Sequence, residues 1–149
     1  MSVETEDPLA LEEQVCFALA VASRSVVASY RAVLEPLGLT HPQYLAMLAL
    51  WQHGTLSVKA LGELLHLEPA TISPLVRRLE QSGLVTRTRS TADERSLDVA
   101  LTTEGGALRT RALDVPTTML ERFGMTIEDL HRTNTMLHRI IDAAKAVPA

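Results

Sequence analysis

Apolar residues recur at helical spacing along most of the chain, and the interruptions mark its joints. From about Leu9 to Leu34, the residues Leu11, Val15, Leu19, Ala22, Val26 and Val33 keep to one face. That spacing predicts a long first helix, stopped by Glu35-Pro36 and Gly38. A second helix is expected from Thr40, where Gln43 three residues on completes a capping box; it carries Leu45, Leu48 and Trp51 and ends at Gly54. The third, Ser57 to Leu65, presents Val58, Leu61 and Leu65, and a break at His66-Leu67-Glu68 leads into the fourth, Pro69 to Ser82. Proline suits the fourth helix's first turn, Ile72, Leu75 and Leu79 face inward, and Gly83 terminates it. Pro74 lacks an N–H inside that helix, which predicts irregularity around Ala70.

After Gly83 the period changes from helical to alternating. VTRTRS and SLDVALT flank the polar turn TADER, giving a β-hairpin with Leu97, Val99 and Leu101 on one side. Then comes a helix from Thr103 to about Phe123, interrupted at Pro116, and a last helix opened by the Thr126–Asp129 pair. Ile127, Leu130, Leu137, Ile141 and Ala144 line that last helix.

Two short helices, a tight connection and a following hairpin form a winged helix-turn-helix, mainly α with a small β-hairpin wing. The expectation is one domain over residues 1–149. Residues 40–101 form the DNA-binding region, which grips DNA through 57–101. The segments 9–35 and 103–147 are dimerisation helices, because their apolar stripes exceed what a small winged domain covers.

Composition agrees with a helical globular chain. The 149 residues are 46% hydrophobic but only 3% aromatic, so the core is aliphatic. The acidic start MSVETEDPLALEEQ does not resemble a secretory signal, and an unbroken apolar run such as Tyr44 to Trp51 is too short to cross a bilayer. A cytoplasmic protein with no membrane contact is expected. The net charge of −4 argues against a nucleic-acid partner until it is divided along the chain. Residues 77–111 hold seven of the fourteen basic residues, all arginine, against five acidic ones. Residues 1–35 hold two basic and six acidic, so one basic segment sits in an acidic protein.

On the fourth helix, Thr71, Ser73, Arg77 and Arg78 lie off the apolar stripe and offer hydroxyls and guanidinia to base edges or phosphates. In the wing, Arg87, Arg89 and Arg95 extend the basic surface. Asp93 is placed to hold the Arg95 guanidinium for entry into a minor groove.

These residues carry a resemblance. ATISPLVRRLEQSGLVTR at 70–87 and the wing signature DERS at 93–96, followed by LTTEG, resemble the MarR family of dimeric winged-helix regulators. QVCFALAVASR with Cys16, and LTHPQYLAMLALW at 39–51, resemble the organic hydroperoxide resistance group within it. The resemblance implies a repressor of double-stranded operator DNA in which Cys16 is the peroxide-sensing thiolate, supported by tyrosines of the other subunit. Tyr30 matches one such tyrosine. The other falls where this chain has His41, an imidazole able to donate or accept a hydrogen bond.

Cys16 and Tyr30 are fourteen residues apart on one expected helix, about 20 Å along it, so they meet only across two antiparallel subunits. Cys16 is expected beyond the helix's first turn. With no second cysteine in the chain, an oxidised Cys16 is capped by a low-molecular-weight thiol or overoxidised. A thiol peroxidase needs a resolving thiol, and HExxH, GxSxG and glycine-rich phosphate loops are lacking, so no enzyme and no cofactor is expected. The alternative is a regulator answering to a small ligand or a metal at the dimer seam, with Cys16 structural. His41, His53, His66, His131 and His138 are too widely spaced to favour the metal.

Overall fold

The computed structural model describes residues 7–148. A 3₁₀ turn at Leu11–Glu13 precedes helix α1 (Val15–Leu34), and a second at Glu35–Leu37 leads to α2 (His41–His53). Strand β1 (Leu56–Ser57), helices α3 (Val58–Leu65) and α4 (Pro69–Gln81), and strands β2 (Val85–Arg89) and β3 (Leu97–Leu101) follow. Helices α5 (Thr103–Ala112), α6 (Val115–Phe123) and α7 (Ile127–Ala146) complete the chain. It divides into two compact units, residues 1–110 and 111–149.

Local chemistry explains most boundaries. The Thr40/Gln43 capping box opens α2, and Gly38, with φ 70°, lets the chain turn back just before it. Ser57 caps α3 by accepting the Ala60 N–H at 3.0 Å. His66 ends α3 in the left-handed region at φ 57°, so the turn of the helix-turn-helix rests on a non-glycine residue in a glycine-favouring conformation. Helix α4 runs unbroken through Pro74, contrary to the irregularity expected there. Ala70, whose carbonyl loses its helical partner, is exposed, so that carbonyl is not left stranded in the core.

The sheet has strand order β1-β3-β2, all antiparallel, with Leu56 opposite Val99 and Val85 opposite Leu101. The hairpin was expected; β1 was not. The core of the first unit gathers Leu34, Met47, Leu50, Leu61, Ile72, Leu79, Val85 and Val99, each almost fully buried. In α2 the buried side is Tyr44, Met47 and Leu50, while Leu45 and Leu48 are exposed.

The base of the wing is locked to α5. The Thr102 hydroxyl donates to the Gly83 carbonyl at 2.6 Å and accepts the Gly105 N–H, and the Trp51 indole donates to the Gly105 carbonyl at 2.9 Å. A side chain at Gly105 would fall on the Leu84 carbonyl oxygen, so only glycine allows this approach.

In the second unit, α5 ends at Ala112 and α6 restarts at Val115 with Pro116 in its first turn, the interruption that proline predicts. The Thr126/Asp129 box opens α7, which buries none of its residues and leaves Ile127, Met136, Ile140 and Ile141 exposed. Helix α1 is similar, with only Leu34 buried and Val15, Phe17, Val26 and Val27 exposed. Within Val15–Leu37 an 18-residue window reaches a mean hydropathy of 1.3, enough by length and composition for a membrane span. Ser23, Arg24, Ser25 and Arg31 break the apolar run in this helix, while the valines, alanines and leucines around them hold the average up.

Candidate nucleic-acid interface and thiol site

The first helix begins later than its periodicity suggests. Gln14 is extended, and its side-chain amide donates to the carbonyls of Pro8 and Ala10 at 2.8 Å each, fastening a separate N-terminal turn. Cys16 is therefore the second residue of α1 rather than lying beyond its first turn, and its side chain is exposed. The first turn of a helix presents N–H groups that lack a partner within the helix.

At the far end of α1, Tyr30 meets two residues of α2. Its ring contacts His41 edge to face with centroids 5.2 Å apart, and Tyr44 at 6.0 Å. Burial raises the pKa of Tyr30 above its ordinary value and lowers that of His41. Tyr44 is raised by burial and by its neighbour Tyr30. The cluster is thus a neutral phenol, a neutral imidazole and a second neutral phenol at neutral pH. Beside it a cavity of about 430 Å³ is lined by Val27, Arg31, Leu39, His41 and Pro42. Tyr44 was not anticipated as a member. It stands three residues after His41, which places both on one face of α2, and that spacing is the signal in the sequence.

On the winged unit, Thr71, Arg77 and Arg78 of α4 are exposed and Ser73 is half-buried, all clear of the buried Ile72, Leu75, Val76 and Leu79. Arg89 and Arg95 are exposed on the wing. A cleft of about 820 Å³ separates α3 and the α3–α4 turn from the wing tip, with Lys59, His66, Ile72, Asp93 and Arg95 on its walls.

Two wing residues behave differently from expectation. Asp93 accepts the backbone N–H of Arg95 at 3.0 Å instead of holding its guanidinium, and the Asp93 carbonyl accepts from Ser96 at 2.9 Å. The carboxylate shapes the turn, because an Asp side chain readily caps an amide two residues on. Arg87 turns back to α4, where its Nη2 and Nε donate to Glu80 Oε1 at 3.0 and 3.3 Å and its backbone N–H donates to Oε2 at 3.3 Å. The guanidinium holds the Glu80 carboxyl below the usual range, helped by the more distant charge of Arg77. Sequence reading missed Glu80. Its signal is an acidic residue at the end of a basic helix, seven positions before the arginine it meets.

Among the described residues, no group of three or more His, Cys, Asp or Glu side chains gathers to hold a metal ion.

Comparison with known proteins agrees with this geometry. The MarR family model matches residues 39–97, from just before α2 to the first residue of β3. The chain is 43% identical over 136 residues to the organic hydroperoxide resistance transcriptional regulator of Bacillus subtilis, covering 91% of this chain and 92% of that one. Among solved structures, reduced AbfR bound to DNA superposes with a TM-score of 0.80 at 29% identity, over 91% of this chain and 92% of the other. Overoxidized AbfR bound to DNA gives 0.68 at 31% identity over 85% and 94%; AbfR is a protein of Staphylococcus epidermidis. With a single cysteine, a winged helix-turn-helix and this degree of likeness, the chain belongs to the MarR family of transcriptional regulators, in its organic hydroperoxide resistance group.

Proposed function

We propose that this regulator works in the cytoplasm as a homodimeric repressor that binds operator DNA and releases it when an organic hydroperoxide oxidises Cys16. The observation that carries the reading is the position of Cys16, the chain's one thiol, exposed in the first turn of α1 in a protein 43% identical to a hydroperoxide regulator.

In the first step the Cys16 thiolate attacks the outer peroxide oxygen. An S–O bond forms, the O–O bond breaks, and the leaving alkoxide takes a proton to become an alcohol, giving sulfenic acid. A low-molecular-weight thiol then condenses with the sulfenic acid, forming a mixed disulfide and expelling water. Since an overoxidized relative has been solved on DNA, release is assigned to the bulk of this capped form rather than to added oxygen alone.

The exposed apolar faces of α1 and α7 support dimerisation through 9–35 and 103–147, with 40–101 left to face DNA. In an antiparallel pairing of α1 helices, the Tyr30–His41–Tyr44 cluster of one subunit meets Cys16 of the other, and Tyr30 and His41 then support the thiolate by hydrogen bonds. Thr71, Ser73, Arg77 and Arg78 enter the major groove, and Arg89 and Arg95 of the wing approach the backbone and minor groove, with Asp93 shaping the tip. Dimer half-sites one helical turn apart fix the spacing that a swollen seam disturbs.

The test titrates the protein onto duplex DNA from upstream of its own coding sequence, with and without cumene hydroperoxide plus free cysteine. Wild type is expected to release, and Cys16→Ser to stay bound. Release by both, or by neither, overturns the sensor; failure of untreated wild type to bind any duplex overturns the DNA reading itself.

A further inference from the structure

Glu80 and Arg87 lie inside the basic surface, yet each cancels the other's charge there. Their three hydrogen bonds run from the last turns of α4 to the third residue of β2. Strand β2 is at the sheet edge, since the order is β1-β3-β2, and Arg87 lies opposite Val99 of β3. The Arg87 N–H that Glu80 receives is thus an edge donor with no strand to take it, and a carboxylate covering it also keeps another strand from adding there. Both side chains are partly covered, with Arg87 26% and Glu80 37% exposed. Arg78, Arg89 and Arg95 are exposed instead, with no hydrogen-bonded or ionic partner for their guanidinia among the described residues.

We infer that Glu80 and Arg87 are positioning residues of the DNA-binding unit: Glu80 clamps the side chain and backbone of Arg87, fixing the angle of the wing to α4, and so withholds Arg87 from phosphate. The inference rests on the DNA reading above. A single carboxylate bridging two elements at both a side chain and a backbone group resists hinge motion between them better than a side-chain pair alone. An arginine whose Nε–Nη edge is occupied by a carboxylate cannot offer that same fork to phosphate. The wing arginines Arg89 and Arg95 then meet DNA at a preset distance from α4.

Salt dependence separates positioning from direct binding, because removing one cation from a phosphate lowers the slope of log affinity against log salt by about 0.9. Duplex binding from the same upstream DNA is measured over a potassium chloride series for wild type, Arg87→Met, Glu80→Ala, the double variant and Arg95→Ala. Thermal melts confirm that each variant is folded.

Arg87→Met is expected to weaken binding about threefold with the slope unchanged, Glu80→Ala to weaken it similarly with the slope kept or raised by the freed Arg87, and the double variant to behave like Arg87→Met, while Arg95→Ala lowers the slope. A slope reduced by about 0.9 in Arg87→Met, or tighter binding by Glu80→Ala, overturns the inference. Amide hydrogen exchange at Arg87 in the free protein reads the clamp without DNA. It is expected to be slow in wild type and fast in Glu80→Ala, and protection surviving that substitution equally overturns the inference. A wild type that binds no duplex overturns the DNA reading, a result distinct from either.

Discussion

At the scale of single residues, the chain shows two positions where one atom decides the outcome. Gly105 is the first. A methyl group there meets the Leu84 carbonyl oxygen, so Gly105→Ala must displace either the wing base or α5 and disturb the Trp51 hydrogen bond. We expect a loss of about 2 kcal/mol or more in urea unfolding, against near neutrality for Gly106→Ala, which has open space. His41 is the second. Burial disfavours its charged form, so the unfolded chain binds this proton more readily than the folded one. Stability is therefore full above the ordinary histidine value of 6.5 and falls as pH drops through it toward the lowered native value. Melting temperatures compared at about pH 7.5 and about pH 5.5 should fall more for wild type than for His41→Phe. Identical falls would show that His41 contributes nothing to acid sensitivity. That one long helix carries both Cys16 and Tyr30 was legible in the sequence. The true helical position of Cys16 was not, because the break at Gln14 carries neither proline nor glycine and is made by a glutamine side chain folding back on two carbonyls.

At the scale of elements, punctuation was more legible than packing. Thr40 with Gln43, Thr126 with Asp129, Ser57, Gly83 and Pro116 each state a helix boundary in local chemistry, and the helices begin or end where these residues place them. Helix α2 shows the limit. From Tyr44 to Leu50 every residue is apolar, so no face is marked by pattern, and which side is buried depends on neighbours distant in the chain. Strand β1 has two residues, too few to display a period of two, and exists only because β3 offers an edge. The Asp93–Arg95 pairing was correctly sought two residues apart but falls on the backbone. This changes what the wing tip needs. Arg95→Ala should weaken operator binding and lower the salt slope by about 0.9, whereas Asp93→Ala should loosen the turn and weaken binding with the slope kept, as read by the same titration series. An equal slope change in both would assign Asp93 a direct electrostatic role. Thr126→Ala removes one half of the α7 capping box and should destabilise the helix by about 1 kcal/mol, visible in thermal unfolding monitored at the helical circular dichroism band.

At the scale of the whole molecule, the exposed apolar faces of α1 and α7 are the surfaces the proposed dimer would bury. Sedimentation should find a species of twice the chain mass. Val26→Glu, which places a carboxylate on the exposed face of α1, should shift it toward monomer and weaken operator binding at least tenfold, since each half-site alone engages half the phosphates. A monomeric wild type with full operator affinity would overturn the dimer. The architecture was legible at this scale because the helix-turn-helix, the hairpin and the long flanking helices each announce themselves by period. The aromatic cluster was legible only in part, since Tyr30 and His41 come from different helices and meet through the turn at Glu35–Leu37. One practical consequence lies in Trp51. It is the chain's lone indole, half-buried and bonded to the Gly105 carbonyl. Its fluorescence therefore arises from one known place, the joint between α2 and the start of α5. A spectral shift on adding peroxide or DNA would report whether that joint moves, with no dye attached and no residue changed.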